Sequence, residues 1–271
     1  MNEDPTLTRM FHLAHLTTSE VDAIDKADAV VVQPIGAIEQ HGPHLPLITD
    51  AMHAEAITVA AVESLPDDAN VWVLPTLHYG KSTEHLGRAG TIAMSASTLM
   101  AVCMDLGTSL AASGFRKLVF VNGHGGQPSL LDVVARDIRH QTGLEVFGVM
   151  PLRFPTPPEV DHAHDDFDIH GGYVETSIMM AIAPDLVHHD RAFPDGQDAA
   201  AEFAKYKHLT LEGVLPTAWL TDDISDSGTI GDPTHASADV GKIILASAAQ
   251  QLAESLLEVR AFSFPKRTRT S

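Results

Sequence analysis

Residues 34–50 read P-I-G-A-I-E-Q-H-G-P-H-L-P-L-I-T-D and set Glu39, His41, His44 and Asp50 in a turn-rich stretch after the apolar run at 29–33. Carboxylate oxygens and imidazole nitrogens are the ligands of a hydrolytic metal site, which also needs a position open for water; a paired site needs a bridging carboxylate as well. In an extended segment residues two apart share a side, so Glu39 and His41 can face one pocket while Gln40 faces away. Asp50 stands where a helix begins and can turn back towards them. His124, in N-G-H-G-G, follows another apolar run, and its flanking glycines permit close backbone approach. Glu175, in H-G-G-Y-V-E-T-S, is the fifth candidate ligand. Taken singly, Asp50 is also a helix cap, Glu175 a first-turn acid and His124 a loop histidine. All of them together at strand ends point to a metal centre.

Four further candidates carry alternatives. Ser82, Glu84 and His85, in H-Y-G-K-S-T-E-H, either line the pocket or cap a helix start. His44, between two prolines, either contacts substrate or packs against backbone. N-G-H-G-G lacks the lysine and spacing of a phosphate loop, and no G-x-S-x-G elbow supports a serine nucleophile.

Elements able to position these residues are legible as β-rich apolar runs at 29–33, 71–77, 117–122 and 144–150. They alternate with helix-like stretches at 50–64, 95–113, 128–142 and 176–183. Such alternation predicts βαβ units around a mostly parallel sheet, with ligands beyond the carboxyl ends of the strands. Residues 151–170, rich in Pro, Asp and His, are expected to form a loop at the rim of the site. Residues 195–207 and 233–259 are expected to supply two more helices, and the basic tail from 265 to fray.

The chain has 271 residues, which fits one α/β domain over 1–271. Its net charge of -19 disfavours nucleic acid and anionic membrane surfaces as partners. With 44% hydrophobic residues and no apolar run long enough to span a bilayer, it reads as a globular protein. The first 16 residues lack the order of a signal peptide, so the expected location is cytoplasmic. A single cysteine, Cys103, excludes an internal disulfide and reads as a small core side chain.

The stretches G-A-I-E-Q-H-G-P-H-L-P-L-I-T-D, Y-G-K-S-T-E-H, N-G-H-G-G, H-G-G-Y-V-E-T-S and G-T-I-G-D-P-T-H-A-S, in this order, resemble the motifs of the creatininase (creatinine amidohydrolase) family. The resemblance implies a three-layer α/β/α sandwich with a mostly parallel central sheet, assembled as a homohexamer. It implies two divalent metal ions per subunit, zinc and/or manganese, and hydrolysis of carbon–nitrogen bonds. By motif, Glu39 and His124 hold one metal, His41 the other, and Asp50 bridges them. His170 and Glu175 fall on H-x-G-x-x-E, where the family places a proton-transfer histidine and an acidic site residue.

Creatinine-hydrolysing members resemble N-G-H-x-E, whereas this chain has Gly126 at the last position. Glu175 is the expected replacement ligand. Those members also place tryptophans around the substrate, while this chain has only Trp72 and Trp219. The loop offers Phe154, Phe167 and Tyr173 instead, together with Asp161, His162, His164, Asp165, Asp166 and Asp168 for a polar or cationic substrate. Ser82, His85 and Tyr173 are the expected substrate contacts. The resulting expectation is a dinuclear amidohydrolase of a small cyclic amide or formamide. Its alternatives are a peptide precursor or a keto-cyclitol ring as substrate, or a non-catalytic metal-binding protein.

Overall fold

A computed structural model describes residues 11–160 and 167–265. The expected loop residues Asp161, His162, His164, Asp165 and Asp166 lie outside this range, as do residues 266–271 of the basic tail.

Four strands, β1 (Val30–Ile35), β2 (Val71–Val73), β3 (Lys117–Asn122) and β4 (Glu145–Val149), form a parallel sheet in the order β2-β1-β3-β4. Both faces are covered, which is why the central strands are apolar at consecutive positions. Val30 and Val32 of β1, with Val119 and Val121 of β3, pack on α2 (Thr49–Glu63) and α7 (Ala238–Ala261) through Ile57, Ala61, Ala249 and Leu252. The alternate residues Val31, Ile35, Leu118 and Phe120 face α3 (Ala96–Ala112) and α4 (Pro128–Thr142) through Leu99, Cys103, Val134 and Ile138. The period of two in the strands thus divides the core between the outer layers, and the result is the three-layer α/β/α sandwich. The short α1 (Thr18–Ala23) precedes the sheet, while α5 (Tyr173–Ile182) packs on α7. Helix α6 (Gln197–Phe203) is followed by a minor pairing of β5 (Leu209–Thr210) with β6 (Leu215–Pro216).

Two strand boundaries differ from expectation because of proline. β2 stops at Val73, not at residue 77: Leu74 N still donates to Val32 O, but the next rung would need an N–H from Pro34, and pairing returns only at an isolated Ile35–Leu77 bridge. β1 instead continues through Pro34 to Ile35, paired with β3 throughout. Pro34 donates nothing, and the buried Gln33 side chain donates to Pro75 O at 2.9 Å in its place.

From β1 the chain crosses to β2 on one side, and from β2 back past β1 to β3 on the other. The point where the connections diverge lies between β1 and β3, and ligands bind outside such a point. Glu39 and His41 follow β1, and His124 follows β3.

Candidate metal centre

Backbone contact at two glycines sets the position of α2. A side-chain carbon on Gly36, just after β1, would lie 2.3 Å from Ala51 N; one on Gly123, just after β3, would lie 2.2 Å from Asp50 O. Only bare backbone lets the first turn of α2 rest on both strand ends. Asp50 is thereby buried in that turn, where the helix dipole favours its charge.

The two oxygens of Asp50 face two histidines. Oδ1 is 2.9 Å from His41 Nε2, and Oδ2 is 3.0 Å from His124 Nδ1. Glu39 Oε2 lies 3.2 Å from His124 Nδ1, while its Oε1 is 3.9 Å from His41 Nε2 and 3.7 Å from His170 Nδ1. Glu175 Oε2 is 3.8 Å from His41 Nε2 and accepts from Gly171 N at 2.6 Å. Three sets of ligand atoms therefore converge, each within 4.8 Å: Glu39, Asp50 and His124; His41, Asp50 and Glu175; Glu39, His41 and His170. Asp50 is common to the first two.

Backbone carbonyls orient the rings. His41 Nδ1 is 3.1 Å from Glu39 O, His124 Nε2 is 2.8 Å from Lys81 O, and His170 Nε2 is 2.5 Å from Gln40 O. A carbonyl only accepts, so these nitrogens carry protons and the opposite nitrogens face the carboxylates. Glu39 Oε1 and Asp50 Oδ2 are buried without a hydrogen bond. Asp50 Oδ2 is close to His124 Nδ1 but not aligned with it as a hydrogen bond. Two atoms bonded to one ion at ~2.0–2.2 Å stand roughly 3 to 3.5 Å apart, which is the spacing of Asp50 and Glu39 from His124 Nδ1 and of Asp50 from His41 Nε2, while Glu175 lies 3.8 Å from His41 Nε2. The donor set fits divalent cations.

The charges show the same demand. Burial disfavours charge on His41, but the Asp50 carboxylate, with Glu175 and Glu39 beside it, outweighs burial and pushes this imidazole up to about 10. His124 is likewise raised, against burial, by Glu39 and Asp50. Burial also opposes charge on Asp50, yet His41 and His124 hold it well below the ordinary carboxylate range. Glu39 is pushed up to about 8 by burial, and Glu175 is raised by burial. Protons on two histidines fill the role that cations would take over.

The other expected residues are distributed unevenly. Ser82 is buried and donates to Glu39 Oε2, so it orients a carboxylate of the centre. His85 stacks on His170 at 4.1 Å, and its Nδ1 contacts Thr221 Oγ1 at 2.7 Å and Gln40 Nε2 at 3.0 Å. Gln40 thus faces away from the ligand atoms, as expected, and braces the stacked rings. His44 is buried against Thr176 Oγ1 at 2.9 Å, and burial lowers it to about 4. Tyr173, expected at the substrate, is instead packed with Val160, Ile178, Ala236 and Ile244, because its place at the start of α5 turns the ring into the core. Asp168 of the loop accepts from Tyr173 N and Val174 N at 2.8 and 2.9 Å, holding the start of that helix.

Two residues escaped the sequence reading. His53, three positions after Asp50 on α2, is fully buried with both ring nitrogens unbonded, and burial lowers it to about 4. Its helical spacing from Asp50 was the available signal. Trp219 stands edge-on to His85 at 6.1 Å between ring centres, beside the site although it is remote in sequence.

A family model for creatininase (creatinine amidohydrolase) matches residues 14–256. This chain belongs to the creatininase family. The mycofactocin precursor peptide peptidase of Mycolicibacterium smegmatis is 34% identical over 233 residues, 85% of each chain. The creatinine amidohydrolase of Pseudomonas putida is 28% identical over 271 residues, covering 93% of this chain and 98% of the relative. A solved mutant creatininase complexed with creatine superposes with a TM-score of 0.73 at 26% identity, covering 91% and 97% of the two chains. The chain is thus a creatininase-family amidohydrolase, and side chains able to hold a metal ion converge in it.

Proposed function

We propose that this chain is a dinuclear metal-dependent hydrolase of an amide carbon–nitrogen bond, with a peptide as its preferred substrate. The observation that carries the paired site is Asp50, whose two oxygens face His41 and His124 on opposite sides. Glu39, Asp50 and His124 would hold one ion and His41, Asp50 and Glu175 the other, with Asp50 common to both sets. Solved creatininases include a manganese form and a zinc–zinc form, and the oxygen–nitrogen donor set here suits either metal.

Divalent ions held by these residues would polarise a carbonyl and acidify water. The chain's own contribution is proton handling. Burial, then His41 and His85, keep His170 well below the ordinary imidazole range, so its Nδ1 faces the pocket unprotonated. That nitrogen accepts a proton from the attacking water and passes it to the leaving nitrogen; the carbon–nitrogen bond breaks to give a carboxylate and an amine.

Two observations support a peptide. The mycobacterial relatives, at 33–34% identity, are peptide peptidases, and Gly126 departs from the N-G-H-x-E of creatinine-hydrolysing members. The near full-length match to the Pseudomonas putida creatinine amidohydrolase supports a small cyclic amide as the second reading.

Elemental analysis of the purified protein, followed by assays on peptides, formamides, lactams and creatinine, tests both parts. About two divalent ions per chain are expected in the wild type, with loss of both ions and of turnover in Asp50→Ala. Stoichiometric metal and normal activity in that variant would remove the bridge. Turnover of lactams but not peptides would favour the cyclic reading.

A further inference from the structure

Glu84 lies on the opposite side of the His124 ring from Asp50. Its Oε1 is 3.4 Å from His124 Nε2, and its Oε2 is fixed by Lys81 Nζ at 2.7 Å. The carboxylate is largely enclosed, with 10% of the side chain exposed, and Thr221 Oγ1 donates to Glu84 O at 2.9 Å. The Lys81 segment therefore meets His124 Nε2 twice, through a carbonyl and through this carboxylate. A side-chain carbon on Gly126 would fall 1.5 Å from Glu84 Oε1 and 2.6 Å from His124 Nε2. The space beside the histidine that residue 126 would fill is occupied by a carboxylate delivered from the turn after β2.

We propose that Glu84 is a positioning residue of the metal centre, orienting His124 through Nε2, and that position 126 is glycine because Glu84 needs its space. This rests on the metal-centre reading. A carboxylate on the far nitrogen of a ligating imidazole fixes the ring and makes the ligating nitrogen a better donor, and loss of such a partner typically weakens metal binding ~10- to 100-fold. Any side chain at 126 must push Glu84 away, and a bare methyl group is enough.

The test is zinc titration of the metal-free, full-length protein by calorimetry, with the visible spectrum of the cobalt-substituted form as a second readout. Glu84→Ala is expected to weaken zinc binding roughly 10-fold or more and to shift the cobalt bands. Gly126→Ala is expected to do the same, and to cost less in the Glu84→Ala background, where the 1.5 Å clash is gone and only the 2.6 Å approach to His124 Nε2 remains to be relieved. Glu84→Gln keeps an acceptor oxygen and should recover part of the affinity. Wild-type affinity and spectrum in Glu84→Ala overturn the positioning role. Additive losses in the double variant overturn the link to Gly126. Should Gly126→Ala fail to fold, Glu84→Ala and Glu84→Gln still decide the role of Glu84. A wild-type protein that takes up no zinc would instead defeat the metal-centre reading, and this proposal with it.

Discussion

An imidazole flanked by two others is a poor place for a positive charge. His170 has the His41 ring 4.2 Å away on one side and the His85 ring 4.1 Å away on the other. It is therefore suited to brief protonation during turnover and not to standing charge. His170→Ala is expected to retain metal while turnover falls ~10²- to 10⁴-fold, the usual worth of a general acid–base. Its Nδ1 also belongs to a set with Glu39 and His41, so loss of metal in the variant would make it a ligand instead. At this scale the sequence was legible where chemistry and spacing were local: Glu39 and His41 sit two apart after a strand, and Asp50 opens the next helix. Glu84 is marked by its place beside Ser82 and His85 after β2, but its meeting with His124, and that of Trp219 with His85, join residues remote in the chain. No local pattern marks such meetings.

The segment that closes over Gln40 depends on one acidic side chain. Asp195 accepts from Ser225 Oγ, Ser227 N, Ser227 Oγ and Gly196 N at 2.6–2.9 Å. Ser225 Oγ in turn accepts from Gly228 N, and Gly228 O receives the Gln40 amide. Burial opposes the charge, but these donors pull Asp195 from 3.8 down to about 2. A value lower in the folded than in the unfolded chain stabilises fully above 3.8 and ceases to do so as pH falls through about 2. Asp195→Asn should thus lower the Tm near neutral pH, with the gap from wild type narrowing at about pH 3. A gap that is constant with pH would assign the loss to packing. The order of strands and helices was readable from periodicity, and so was the placement of the candidate ligands after strands and at helix starts. The early end of β2 was not: an apolar run continues past Val73, and the donor missing from the ladder belongs to Pro34 on the neighbouring strand.

Across the whole molecule, the centre concentrates carboxylates that the apo chain balances with protons on His41 and His124. Cations that bind only the folded state add stability by mass action, about 2.7 kcal/mol at a free concentration of ~100 times Kd. For a chain of this size that corresponds to a rise of roughly 5 to 11 °C in Tm. Thermal melts with and without zinc, at fixed protein concentration and pH, check it; an unchanged melting curve would mean that the ligands are not preferentially loaded in the folded state. The three-layer architecture was legible because both sheet faces are apolar and βαβ units leave little choice of topology. The approach of α2 to the strand ends was not legible, because glycines at 36 and 123 read equally well as ordinary turns.

Helix α2, which carries Asp50 at one end, is packed along its length against α7 by Ile57, Ala61 and Val62 meeting Ala249, Leu252 and Leu256. During synthesis, every proposed ligand up to Glu175 leaves the ribosome well before residues 238–261 do. The nascent chain therefore carries a loose set of chelating side chains until α7 is available to hold α2, and with it Asp50, against the strand ends.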